Sequence, residues 1–183
     1  MFDCPFCRSP YPSNDADELA MIQARVEKKD PEAISMLGAK YAQGLLGLQK
    51  DMRRAVELWT EVAELGSVEA LCNLGTAYHR GVGVDEDKEK GAEYYKKAAM
   101  RGHGESRHNL GCHEGGKGNY DRAVKHWMIS AKMGFDTSVE MIKHMFAKGL
   151  VTKEQYTEAL AGYQDAAEEM KSHDRDEAKR VGY

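Results

Sequence analysis

Apolar residues recur along this chain at spacings of three and four, the period of a helix with one buried face. Leu37 and Tyr41 form one such pair, and Leu74 and Tyr78 form the next. Each is followed downstream by a small–aromatic–small stripe. The stripes are Ala55, Trp59 and Ala63; Gly91, Tyr95 and Ala99; and Ala123, Trp127 and Ala131. Positions four apart lie on one face of a helix. Each stripe therefore predicts a helix whose small residues admit a neighbour and whose aromatic fills the space beyond. Gly66, Gly102 and Gly134 follow the last apolar residue of these helices, where a left-handed residue closes a helix. Asp30-Pro31 starts one, with Asp as N-cap and Pro in the first turn.

The pattern repeats as a unit. Leu37-Gly38, Leu74-Gly75 and Leu110-Gly111 are one recurring dipeptide, and the closing glycines keep a similar interval of about 32–37 residues. Self-similarity of this length marks an array of helical hairpins. One hairpin cannot bury both of its stripes, so the hairpins must stack.

The pattern also divides the chain. Residues 1–12, MFDCPFCRSPYP, are too rich in proline for a regular helix. Residues 13–30 predict an N-terminal capping helix, with Ser13 or Asp15 as its cap and Leu19, Ile22 and Val26 as its apolar stripe. Repeats follow at 31–66, 67–102 and 103–134. The third diverges: Glu114 stands where Tyr41 and Tyr78 stood, and its glycine loop, GGKGNYD, is short. Residues 135–171 predict a divergent C-terminal capping repeat. There Ser138, Ile142 and Phe146 align with Ala70, Leu74 and Tyr78, and Gly149 with Gly81. Lys143 replaces the repeat's glycine. Thr152 and Gln155 form a capping box, and Ala159, Tyr163 and Ala167 restore the stripe. Residues 172–183 are a charged tail.

The run AxxxLGxxYxxG, then a GxG loop with an Asp, then KGAEYYKKAAMRG, resembles the Sel-1-like repeat, a branch of the tetratricopeptide-like helical repeats. The resemblance is clear over residues 31–134. It implies an all-α fold: a right-handed α-solenoid of stacked antiparallel helical hairpins. It also implies a non-catalytic adaptor or scaffold that binds a partner protein or peptide in a concave groove lined by the first helices. The matching groove positions begin with Ser35 and Ala39, then Cys72, Asn73, Thr76, His79 and Arg80. His108, Asn109 and Cys112 follow, then Glu140, His144 and Lys148. Asn73 and Asn109 are equivalent, each preceding a Leu-Gly. In relatives an Asn there bonds the backbone of an extended peptide, because an amide offers both a donor and an acceptor. The alternative is that each Asn bonds within its own hairpin. Arg80, His79 and Lys148 favour an acidic or carboxylate-ended ligand.

Composition narrows the function. The 183 residues carry a net charge of −4, and no basic stripe marks a nucleic-acid partner. No apolar run reaches the roughly 18 residues of a membrane span, and the start lacks a signal-peptide pattern. The expected location is cytoplasmic or nuclear. Cys4, Cys7, Cys72 and Cys112 do not form a disulfide framework. No GxSxG, HExxH, Walker loop, dinucleotide fingerprint or Ser-x-x-Lys is present, so no enzyme is expected. The glycine-rich stretches Gly81–Gly83 and Gly115–Gly118 read as links within hairpins. His108 and Cys112, four apart, have metal-ligand spacing, but third and fourth ligands are not apparent; the plainer reading places both on the inner wall.

The CPFCR stretch resembles the last knuckle of a RING-type zinc finger. That resemblance implies Cys4 and Cys7 as the final two zinc ligands, with the six upstream ligands missing here. Either a longer protein completes the finger or the motif is a relic. The alternative function is the substrate-recognition part of a RING-type E3 ubiquitin ligase, meeting ubiquitin-conjugating machinery in a longer form. The chain by itself calls for no cofactor; zinc enters only with a complete finger.

Overall fold

The computed structural model describes residues 13–169, and among them every regular element is an α-helix. The chain divides between Tyr94 and Tyr95 into two compact units.

The first unit opens with α1 (Asp15–Glu27). Its N-cap is Asn14, not Ser13 or Asp15. The Asn14 Oδ1 accepts the Asp17 N–H at 2.9 Å. Ser13 instead donates its hydroxyl to the Asp17 carboxylate, and Asp15 is already helical. Ile22 of α1 is fully buried against α2 (Pro31–Gln43). Asp30 caps α2, its Oδ1 accepting the N–H groups of Glu32 and Ala33 at 3.0 and 3.4 Å. Together α2 and α3 (Met52–Glu64) form the first hairpin, and α4 (Val68–Arg80) packs on α3.

One close contact sets that hairpin. A methyl group built on Gly38 of α2 would stand 2.6 Å from Nε1 of Trp59 on α3. The Trp59 indole N–H donates to the Ser35 carbonyl at 3.3 Å. Ile34, Leu37, Leu58, Val62 and Leu74 complete the core around it. Burying each such side chain contributes about 1.5–3 kcal/mol. Gly91 of α5 (Lys88–Ala99) repeats the logic: a methyl there would meet the Gly75 carbonyl at 2.8 Å. Gly66, just past α3, has the left-handed φ of 94° that its position predicts.

The second unit begins at Tyr95, within α5. It holds α6 (Gly104–Gly116), α7 (Tyr120–Lys132), α8 (Asp136–Ala147) and α9 (Lys153–Glu169). Here α7 is central, packing on α6, α8 and α9. Trp127 of α7 is fully buried, amid Val124, Ile142, Val151 and Ala159. The capping box is present: the Thr152 N–H donates to Gln155 Oε1 at 3.0 Å, and the Gln155 N–H to Thr152 Oγ1 at 3.2 Å.

Two further expectations are revised. Most of the glycine stretch after Glu114 is not a loop. The α6 helix continues through Gly115 and Gly116, and only residues 117–119 connect it to α7. Glycine is a poor helix former, but Gly115 lies against the Trp127 ring, and packing overrides propensity. Tyr163, placed with the core aromatics by its stripe, is only half-buried. Its helix packs on α7 and α8, and no further described helix covers its other side.

Candidate functional site

The predicted groove positions fall in both units, and each unit treats them differently. In the first unit, a hollow of about 560 Å³ lies between α2 and α4. Ser35, Ala39 and Asn73 line it, joined by Met36 and Leu65. Sequence reasoning placed the first three on one wall and missed the last two. Leu65 carried a signal: it immediately precedes the closing glycine Gly66 and ends α3 with 63 % of its surface exposed.

Asn73 is half-buried, and its side chain makes no hydrogen bond among the described residues. The same holds for Asn109 of α6. Bonding within the hairpin, the alternative use of these amides, is therefore not seen. A half-buried amide without a partner keeps one acceptor and two donors for a ligand. Thr76 is engaged already, its hydroxyl donating to the Cys72 carbonyl at 3.2 Å. Thr76, His79 and Arg80 do not line the hollow. Arg80 is exposed at the far end of α4, about 16 Å along the axis from Glu69 at about 1.5 Å per residue.

In the second unit, His108 and Cys112 of α6 come together as their spacing requires. Cys112 Sγ lies 3.4 Å from His108 Nε2, and His108 Nδ1 lies 2.8 Å from Ser138 Oγ of α8. Phe135 flanks the imidazole at 5.4 Å between ring centroids. Ser138 is fully buried. Its partnership with His108 was missed from sequence. A serine at a position that aligns with the buried Ala70 was the available clue.

The chemistry of this trio is quiet. Burial lowers the His108 pKa and favours the neutral imidazole. Burial pushes the Cys112 thiol above its ordinary value, while the Trp127 indole pulls the other way. A reactive cysteine needs a depressed pKa, commonly from an imidazolium beside it. Both shifts here run against that ion pair. His144 and Lys148 lie exposed at the end of α8, and neither reaches His108 through a hydrogen bond. Cys4 and Cys7 lie outside the described residues.

Comparison with known proteins now decides the family. The Sel1 repeat model matches residues 31–67, 68–103 and 104–135, more than half of the chain. The chain belongs to the Sel1 repeat family. A Sel1 repeat protein from Oxalobacter formigenes superposes with a TM-score of 0.70 at 25% identity, over 85% of this chain and 65% of that one. A protective antigen of uropathogenic Escherichia coli that displays an SLR fold gives 0.68 at 30% identity, over 82% of this chain and 33% of that one. Among curated relatives, the "DAP3-binding cell death enhancer 1" of Rattus norvegicus is 35% identical over 100 residues, 52% of this chain. The match spans only 19% of that relative's length. Among the described residues no helix is long and apolar enough to cross a membrane.

Proposed function

We propose that this Sel1 repeat chain is a non-catalytic adaptor that holds an extended segment of a partner protein on the α2–α4 face of its first unit. The observation that carries this reading is the unpartnered, half-buried amide of Asn73 at the edge of a hollow between two helices. Such an amide is suited to a peptide bond, accepting its N–H and donating to its C=O. The Sel1 family match supports the adaptor role, as does a relative whose name records binding of another protein. The neutral Cys112–His108 pair offers no activated nucleophile, in keeping with a role in binding alone.

The test starts from peptides selected out of an unbiased display library against the whole chain. Selected peptides should perturb the NMR resonances of Ser35, Ala39 and the Asn73 side-chain amide. Asn73→Ala should weaken them about 5–20-fold, the equivalent of about 1–2 kcal/mol for hydrogen bonds to a peptide unit, with the fold intact. Peptides that bind without touching these resonances would place the binding face elsewhere.

A further inference from the structure

We infer that the hollow between α2 and α4 takes a tyrosine side chain from the extended partner segment, its ring against the walls and its hydroxyl on Ser35. This rests on the α2–α4 face being the partner-binding face, and it adds which side chain that face selects.

The walls suit a ring. Met36, Ala39 and Leu65 line the hollow, and Leu65 leaves most of its surface open to water. Covering it removes apolar surface from water on both partners. A methionine sulfur is also a favourable neighbour for the edge of an aromatic ring. A volume of about 560 Å³ leaves room for that ring beside the backbone that Asn73 meets.

Ser35 sets the polar tip. It lines the same hollow with only 8 % of its surface exposed, so it lies deeper than Leu65. Its hydroxyl makes no hydrogen bond among the described residues. Other helical hydroxyls of this unit fold back on their own helix: Thr60 donates to the Val56 carbonyl at 2.7 Å, and Thr76 to that of Cys72. Ser67, also at the hollow, accepts the Ala70 N–H at 3.2 Å. Nor is the Ser35 oxygen sealed in the core, where the unpartnered side-chain atoms among the described residues are those of Arg107, His126 and Trp127. It therefore opens on the hollow, with a donor and acceptor lone pairs to offer. The Trp59 indole holds the Ser35 carbonyl at 3.3 Å and pins this turn of α2 to α3. A wholly apolar side chain in the hollow would strip water from the hydroxyl and leave it unpaired, a cost larger than a typical hydrogen bond returns. Tyrosine is apolar along its ring and polar at its end, the order the hollow presents from mouth to floor.

The experiment uses the full chain and four capped synthetic peptides. Each has a Gly-Ser surround and one central residue: tyrosine, phenylalanine, leucine or serine. NMR titrations compare their affinities for the parent and for Ser35→Ala. On the parent, the tyrosine peptide should bind about fivefold tighter than the phenylalanine peptide, the effect of one added hydrogen bond. It should shift Ser35, Met36, Leu65 and Asn73, and the serine peptide should bind weakest. Ser35→Ala should keep its melting temperature, since alanine suits a helix at least as well, and should bind the tyrosine and phenylalanine peptides equally. Phenylalanine or leucine binding as tightly as tyrosine at these residues would overturn the inference and leave the binding face standing. So would a tyrosine preference that survives in Ser35→Ala, or a serine peptide that matches the tyrosine one. If no peptide shifts these residues, both this inference and the binding face fail.

Discussion

Gly111 on α6 lies so close beneath Trp127 on α7 that a methyl group added to it would stand 2.4 Å from the indole Nε1. The indole is fully buried and cannot swing aside. Gly38 and Trp59 make the equivalent contact in the first unit. The two differ in one respect. Trp59 donates its N–H to a carbonyl, whereas Trp127 Nε1 makes no hydrogen bond of ordinary geometry.

Gly111→Ala should therefore destabilise the protein by about 1–3 kcal/mol through overpacking. Gly116, in the same helix, has open space around it. Gly116→Ala should be neutral or stabilise by up to about 1 kcal/mol through helix propensity. Urea denaturation of the two variants compares them directly. Equal midpoints would mean that α6 and α7 do not pack as closely as described.

Stability should also fall as the pH drops below neutrality. Burial lowers the pKa of His108, and of His126, where the Arg107 charge adds a smaller effect. The unfolded chain takes up its protons first, near the ordinary histidine value of about 6.5. Protonation thus favours unfolding, and this part of the stability is lost as pH falls from about 6.5 toward the folded-state values. Melting temperatures at pH 7.5 and 5.5 measure the loss. His108→Gln should show a shallower decline than the parent. An identical slope would mean that His108 is as free to ionise when folded as when unfolded.

Cys112 should alkylate slowly. With Cys4→Ser, Cys7→Ser and Cys72→Ala in place, iodoacetamide at neutral pH reports on this thiol alone. A raised pKa and partial burial predict a rate at least about tenfold below that of the unfolded chain. A rate above the unfolded one would reveal a thiolate and reopen the question of catalysis.

The capping box at the start of α9 gives a local test. Thr152→Ala should cost about 1 kcal/mol. The loss should appear in hydrogen exchange as faster exchange of the Gln155 amide, whose acceptor is removed. Thr152→Ser retains the oxygen and should retain the protection.

Much of the fold was legible because its signals are short in sequence. The Leu-Gly pairs, the stripes around Trp59 and Trp127, and the closing glycines each need only a few neighbouring residues to be read. Asp30-Pro31 and Thr152–Gln155 are local in the same way. The site was less legible. Ser35, Ala39 and Asn73 could be placed on one wall through the family resemblance, which assigns the first helices to the groove. The hollow itself depends on how α2, α3 and α4 pack, which no short stretch of sequence specifies. The His108–Ser138 bond joins residues 30 apart, and the helical period does not specify it. The cap of α1 passed to Asn14 because Ser13 turned its hydroxyl to a carboxylate, a choice among adjacent polar residues that periodicity does not resolve.

The helix starts have a consequence for how the chain acquires its shape. Asp30, Asp51, Ser67 and Thr152 each cap a helix by accepting an N–H from within the next three residues. Each hairpin then closes on a partner that follows soon after in the chain. Contacts of such short sequence separation form quickly, and the earlier hairpin does not wait for the later one. A growing chain can therefore settle α1 to α3 while the rest is still being synthesised, shielding Trp59 before the second indole has left the ribosome.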